Sequence, residues 1–140
     1  MSVWGDLKVQ WRSGLAVGDP LIDAQHQAFF DEVNAIADAL AEGAGREAVL
    51  GFYRKFLAGL AQHFRDEEAL LARVGFPDID NHHAEHEALL AAVTAIEGLL
   101  VTSQSPHELH YIVKRLFGAL IEHLACEDMR YKAHLRRAQA

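Results

Sequence analysis

Histidine and carboxylate residues recur in this chain at spacings that let them bind a metal ion together. Nine of the 140 residues are histidines. His82 and His86 lie four residues apart, and Glu67 follows His63 by the same interval. On a helix, residues four apart lie on one face with Cβ atoms about 5–6 Å apart. Each pair can therefore reach one ion or two neighbouring ions, for which imidazole and carboxylate are natural ligands.

The same polar residues fall in the apolar stripes of predicted helices. His26 lies three residues before Phe29, and His123 lies three residues after Leu120. A lone histidine in such a stripe is more often a core residue with one hydrogen bond. Several in one small core would each cost roughly 1–3 kcal/mol if left unpaired, so a metal centre is the simpler interpretation. The inward-facing set comprises His26, His63, Glu67, His82, His86 and His123.

Two cations would need a second carboxylate, and Asp128 is the candidate. It lies five residues after His123, and an ideal helix of 3.6 residues per turn rotates such a pair by about 140°. Spacing alone therefore supports Asp128 least among the ligands. A local π-type bulge or a long side-chain reach would be needed to bring it inward.

The elements that must position these residues are four predicted helices. The first begins at Asp19-Pro20, a cap followed by a proline at the first helical position, and it ends at Gly43. Gly75 is a plausible C-cap of the second helix, and a capping box opens the fourth at Ser105. Short loops between long helices favour an all-α, antiparallel up-down-up-down four-helix bundle. We expect one domain over residues 1–140, with an irregular N-terminal arm (1–18) packing Trp4 and Trp11 against a bundle at about 19–137.

Composition excludes several classes of function. The formal net charge of −7 argues against nucleic acid and anionic membranes as partners. No apolar run approaches the roughly 20 residues that span a bilayer, and the first residues do not have the pattern of a secretory signal. The single cysteine, Cys126, leaves no internal disulfide framework. A cytoplasmic location is the expectation.

These residues in this order resemble the hemerythrin family, in particular its bacterial single-domain members. The resemblance covers residues from about 11 to 131 and fills all seven ligand positions. It also includes the stretch leading into the first helix, Gly18-Asp19-Pro20-Leu21-Ile22-Asp23-Ala24-Gln25-His26, and the turn Gly75-Phe76-Pro77. The motifs are His26, His63-Phe64-Arg65-Asp66-Glu67-Glu68, His82-x3-His86 and His123-x4-Asp128.

The resemblance implies a non-haem di-iron centre. His82, His86 and His123 would bind one iron and His26 and His63 the other. Glu67 and Asp128 would bridge them, together with an oxo or hydroxo group. The second iron would keep one open position, where dioxygen binds reversibly. The expected role is an oxygen carrier, store or sensor, with nitric oxide and azide as other small ligands.

An apolar wall should line the oxygen site and keep water out. One departure from the family is Ala119, which stands where a tryptophan is usual. Its small side chain should leave room beside the open iron, which predicts easier access and faster autoxidation. The predicted pocket residues are Phe29, Phe30, Leu60, Phe64, Ala119, Leu120 and Tyr131. The resemblance also implies that Tyr131 lies near the bridging carboxylate.

Other interpretations use the same site or different motifs. A di-iron peroxidase, a nitric-oxide scavenger and a metal store remain alternatives. The Glu-x-x-His pairs of ferritin-like enzymes and the His-Glu-x-x-His of zinc proteases are absent from the sequence, so we expect a binding protein rather than an enzyme.

Cys126 should be a small buried residue. Solvent exposure is expected for His83, His107, His110 and His134. Glu68 and Glu122 are also expected to be solvated, with a role in holding ligand imidazoles as the alternative.

Overall fold

The computed structural model describes residues 9–43, 45–102 and 106–139, and these form an all-α four-helix bundle. Three rods are single helices, namely α1 (Pro20–Ala41), α2 (Arg46–Arg73) and α3 (Ile79–Thr102). The fourth rod consists of α4 (Pro106–Glu122), a π turn (His123–Glu127) and α5 (Met129–Gln139). The predicted fold class is confirmed. Within the described ranges, no helix is long and apolar enough to cross a bilayer.

Local signals fix the helix ends near the predicted residues. The Asp19 carboxylate accepts a hydrogen bond from the Ile22 N–H at 3.1 Å, and Pro20 occupies the first turn of α1. Gly75 has a φ of 69°, in the left-handed region that favours glycine. The Phe76 N–H donates to the Leu71 carbonyl at 2.9 Å, which completes a Schellman motif after α2.

Two apolar clusters bury the inner faces of the rods and leave a polar layer between them. The larger cluster includes Val33 and Ile36 on α1, which follow Phe30, together with Phe64 on α2 and Phe117 on α4. The smaller one lies at the end of the bundle that contains Gly75. It contains Val17, Ile22, Leu70, Leu71, Tyr131 and Leu135. Along α1, α2 and the fourth rod, the candidate ligands lie between the residues of these two clusters.

The described part of the N-terminal arm packs against α1. The Val9 N–H donates to the Asn34 side chain at 2.7 Å, and the Asn34 amide donates back to the Val9 carbonyl at 2.8 Å. The ring of Trp11 meets Phe30 edge to face, with centroids 5.5 Å apart. The predicted packing of Trp11 is thus confirmed, whereas Trp4 lies outside the described residues.

Candidate metal centre

The structure brings all seven predicted ligand residues into the layer between the apolar clusters. Each rod contributes at least one of them, and all are buried. His123 is the most accessible, with 8% of its surface exposed. The set is His26 from α1, His63 and Glu67 from α2, His82 and His86 from α3, and His123 and Asp128 from the fourth rod.

The π turn brings Asp128 into this layer. The Asp128 N–H donates to the carbonyl of His123, five residues earlier, at 3.0 Å. The wider turn cancels the rotation that would point Asp128 away from His123 on a regular helix. The Asp128 Oδ1 then lies 3.0 Å from the His123 Nε2. Of the two possibilities that the spacing left open, a π bulge or a long side-chain reach, the structure has the π bulge.

The seven side chains form two donor groups that share both carboxylates. In each group the donor atoms lie within 4.8 Å of one another. One group contains Glu67, His82, His86, His123 and Asp128. The other contains His26, His63, Glu67 and Asp128. We call these the three-histidine position and the two-histidine position.

Several buried donor atoms lack the hydrogen bonds that burial normally requires. The His86 Nε2, the His123 Nε2 and the Asp128 Oδ1 make no hydrogen bond of good geometry within the described residues. The nearest oppositely charged or ring atoms lie 3.0 Å from each of them. In the two-histidine position, the Nε2 atoms of His26 and His63 lie 3.1 Å apart. A buried polar atom left unpaired costs about 1–3 kcal/mol. Cations coordinated by these atoms would remove that cost, so the donor set fits a metal site.

The two buried carboxylates also favour the protonated form of the histidines around them. Burial lowers the pKa of His26, but hydrogen bonds to Asp128 and Glu67 outweigh it and raise the pKa to about 9. The same balance raises the pKa of His82 to about 10. Burial and the charge of Glu67 would raise the pKa of Asp128, yet bonds to the histidines lower it to about 2. Protons thus compensate the carboxylates where a metal ion would otherwise do so.

Polar contacts outside the ligand set orient three of the imidazoles. The Nδ1 atoms of His63 and His86 face the Gln25 Oε1 at 2.6 Å and the Glu68 Oε2 at 2.9 Å. The Nδ1 of His123 faces a Glu85 carboxylate oxygen at 3.2 Å. A partner on Nδ1 leaves Nε2 free for the layer.

These contacts correct the prediction for Glu68 and add Gln25 and Glu85 to the residues that orient the ligand histidines. Glu68 is half-buried against His86 and His83 rather than simply solvated. Gln25 and Glu85 were not predicted, because each meets a histidine on another helix and no spacing along the chain marks that. Glu122 and His83 are exposed, as predicted. His134 is half-buried and its Nε2 donates to the Val74 carbonyl at 2.7 Å, so its predicted exposure is wrong. The side chains of His107 and His110 lie outside the described residues.

A narrow cavity of about 40 Å³ adjoins the two-histidine position. Its polar lining atoms come from His26, His63, His123 and Asp128, and the remaining walls are apolar. Five of the seven predicted pocket residues line it, namely Phe29, Phe30, Leu60, Phe64 and Leu120. Further walls that were not predicted come from Val9, Val33, Phe56, Phe117, Ile121 and Leu124.

The other two predicted pocket residues lie elsewhere. The Tyr131 hydroxyl donates to the Glu67 Oε2 at 2.9 Å, so this residue lies near a shared carboxylate, as the resemblance implied, and does not line the cavity. Ala119 is exposed and borders a separate, open cavity of about 300 Å³ together with His123, Glu85 and Cys126. Ala119 therefore does not line the apolar cavity, and the room that its small side chain leaves lies beside His123. Ala119 lies four residues before His123, and its exposed side chain is at the edge of the face that His123 buries.

Cys126 also differs from its prediction. It is exposed rather than buried, because it lies inside the π turn, where the wider spacing shifts the direction of the intervening residues.

Comparison with known proteins identifies similar sequences. A family model described as "Hemerythrin HHE cation binding domain" matches residues 17–135. A "Bacteriohemerythrin" of Ralstonia nicotianae is 34% identical over 83 residues, which cover 59% of this chain and 57% of that protein. A "Hemerythrin-like protein" of Naegleria gruberi is 26% identical over 125 residues, or 89% of this chain and 92% of that protein. The match therefore spans little more than half of the bacterial relative and nearly all of the Naegleria one.

Proposed function

Since this chain belongs to the hemerythrin family, we propose that it binds two iron ions and uses one of the two positions to bind dioxygen reversibly. The two donor groups support two ions, because each group has enough donors for one ion and both contain Glu67 and Asp128. His82, His86 and His123 would complete the three-histidine position. His26 and His63 would complete the two-histidine position.

The relation between donor number and the apolar cavity carries the proposal. The three-histidine position offers five protein residues, and the two-histidine position offers four. Both histidines of the smaller group line the cavity, whereas only His123 of the three histidines in the larger group does. The position with fewer protein donors therefore faces the space that a small ligand can enter.

The size and polarity of this cavity select its ligand. A volume of about 40 Å³ exceeds the 10–15 Å³ needed to hold one water molecule and is far below a drug-sized pocket. Walls such as Phe29 and Leu60 offer no hydrogen bonds, so water gains little there. A small apolar molecule such as dioxygen suits this space, and nitric oxide or azide are small enough to enter it.

The metal ions and the protein would contribute different parts of dioxygen binding. A pair of ferrous ions, when bound, supplies two electrons to dioxygen and recovers them on its release. The chain excludes water through the aromatic walls, and it fixes the shared carboxylate through the Tyr131 hydroxyl. Exclusion of water protects a reactive centre from side reactions. We therefore propose a binding protein that acts as a carrier, store or sensor, rather than an enzyme.

The test is an iron assay combined with optical spectra of the purified protein under nitrogen, then air, then nitrogen again. Two iron ions per chain and a reversible oxygen-dependent spectrum are expected. A His82→Ala variant should lose iron, whereas a His83→Ala variant, changed at the exposed neighbour, should retain it. Failure of the protein to take up iron when ferrous ions are supplied would contradict the proposal. Turnover of peroxide with a reductant, in place of reversible dioxygen binding, would contradict it as well.

A further inference from the structure

The two metal positions differ in the groups that support their histidines from outside. The Nδ1 atoms of His86 and His123 both face carboxylates, at 2.9 Å and 3.2 Å. In the two-histidine position, the His63 Nδ1 faces the neutral amide of Gln25 at 2.6 Å. The Nδ1 of His26 is buried without a hydrogen-bond partner in the described part of the chain. Charged support thus belongs to only one of the two positions.

Asp66 fixes the orientation of the Gln25 amide. The Gln25 Nε2 donates to the Asp66 Oδ2 at 2.8 Å, and the Gln62 side chain donates to the other oxygen at 2.9 Å. An ionised carboxylate can only accept, so it must face the NH2 end of the amide. The carbonyl end of Gln25 therefore faces His63, and the His63 Nδ1 must donate to it. The Nε2 lone pair of His63 is left for the metal layer.

We propose that Gln25 is a positioning residue that selects the ligand tautomer of His63, and that its neutral amide makes the two-histidine position the more labile of the two. This inference rests on the proposed function. A carboxylate on the outer nitrogen makes a ligand imidazole more basic, and loss of such outer contacts typically weakens metal binding about 10–100-fold. Gln25 orients His63 without adding this charge.

The first experiment measures release of zinc to a chelator from protein loaded with Zn²⁺ alone. The parent should bind two zinc ions and release them in a fast and a slow phase. Gln25→Leu should accelerate the fast phase about ten-fold or more and leave the slow phase unchanged. Gln27→Leu, at an exposed position two residues along the same helix, is the matched control and should change neither phase.

A charge-conserving double variant separates positioning from simple packing. Gln25→Glu combined with Asp66→Asn keeps the net charge and places a carboxylate directly on His63, as Glu68 is on His86. It should slow the fast phase about ten-fold relative to the parent. A residue that only fills space would give no such slowing, and release as fast as in Gln25→Leu would overturn the inference.

Long-range proton–nitrogen spectra of the zinc-free protein report the tautomer directly. The parent should show His63 protonated at Nδ1, and Gln25→Leu should show a mixture of tautomers. Unchanged release and an unchanged tautomer in Gln25→Leu, with two zinc ions still bound, would overturn this inference alone. Binding of fewer than two zinc ions by the parent would overturn both the inference and the proposed function.

Discussion

The two sides of the metal layer are built for different purposes. The three-histidine side is held by outer carboxylates and borders an open cavity that contains Ala119 and Cys126. The two-histidine side has one amide contact and adjoins the smaller, apolar cavity. The difference indicates that anchoring is concentrated on one side and ligand access on the other.

The largest effect should come from the carboxylate that joins the two sides. Glu67→Gln removes the charge that faces four histidines. Breaking a buried ion pair typically costs about 3–5 kcal/mol, so the metal-free protein should lose a comparable free energy of unfolding in urea titrations. Metal analysis should show fewer than one ion per chain. Glu122→Gln, at an exposed position, is the control; equal losses in both variants would contradict a special role for Glu67.

The pH dependence of the metal-free protein tests both sides together. His26 and His82 have pKa values of about 9 and about 10, above the ordinary value of 6.5. Their stabilisation is complete below pH 6.5 and is lost as pH rises through 9 to 10. Burial lowers the pKa of His63, whose smaller contribution is lost as pH falls below 6.5. Thermal unfolding in chelator should show a falling midpoint from pH 6.5 to 10. A flat profile would contradict this charge balance.

Filling the apolar cavity should weaken ligand binding without loss of either metal ion. Leu60→Phe adds volume to the cavity wall beside the two-histidine position, so dioxygen and azide binding should weaken about ten-fold while both metal ions are retained. Ligand titrations followed optically, with metal analysis, provide the measurement. Leu57→Phe lies on the same helix, packs against the larger cluster and does not line the cavity, so it should bind ligand normally. Equal weakening in both variants would mean that the cavity is not the ligand site.

The smallest effect is expected on the open side. Ala119→Trp places an indole in the cavity next to His123, away from the two-histidine position. The autoxidation rate should therefore change less than about two-fold, which corresponds to about 0.4 kcal/mol in activation free energy. Following growth of the oxidised spectrum in air gives this rate. A marked slowing would restore the expectation that Ala119 controls access to the ligand.

Much of the fold was predictable because its signals are local. Caps at Asp19 and Gly75 and the 3.6-residue stripes depend only on neighbouring residues. The inward-facing histidines and carboxylate were predictable for the same reason, since polar residues that interrupt an apolar stripe can be recognised from the sequence alone. The five-residue spacing of His123 and Asp128 also indicated an irregularity there, although it left a π turn and a long side-chain reach equally open.

The features that could not be predicted depend on how the helices are rotated against one another. Gln25 meets a histidine 38 residues away, and Glu85 meets one at the same separation. Ala119 has the spacing of a site residue, yet the rotation of α4 turns it toward solvent. Interhelical rotation is set by packing of whole faces, which the period of one stripe does not determine.

The π turn also means that the fourth rod contains one residue more than a straight helix would need. Continuing the period from Leu116 without interruption would bring positions 127, 130 and 134 inward, whereas the buried residues are Asp128, Tyr131 and Leu135. Deleting exposed Ala125 would restore an uninterrupted α-helix with the same inward pattern. The π turn therefore takes up one surplus residue without turning the carboxylate or the residues after it away from the core.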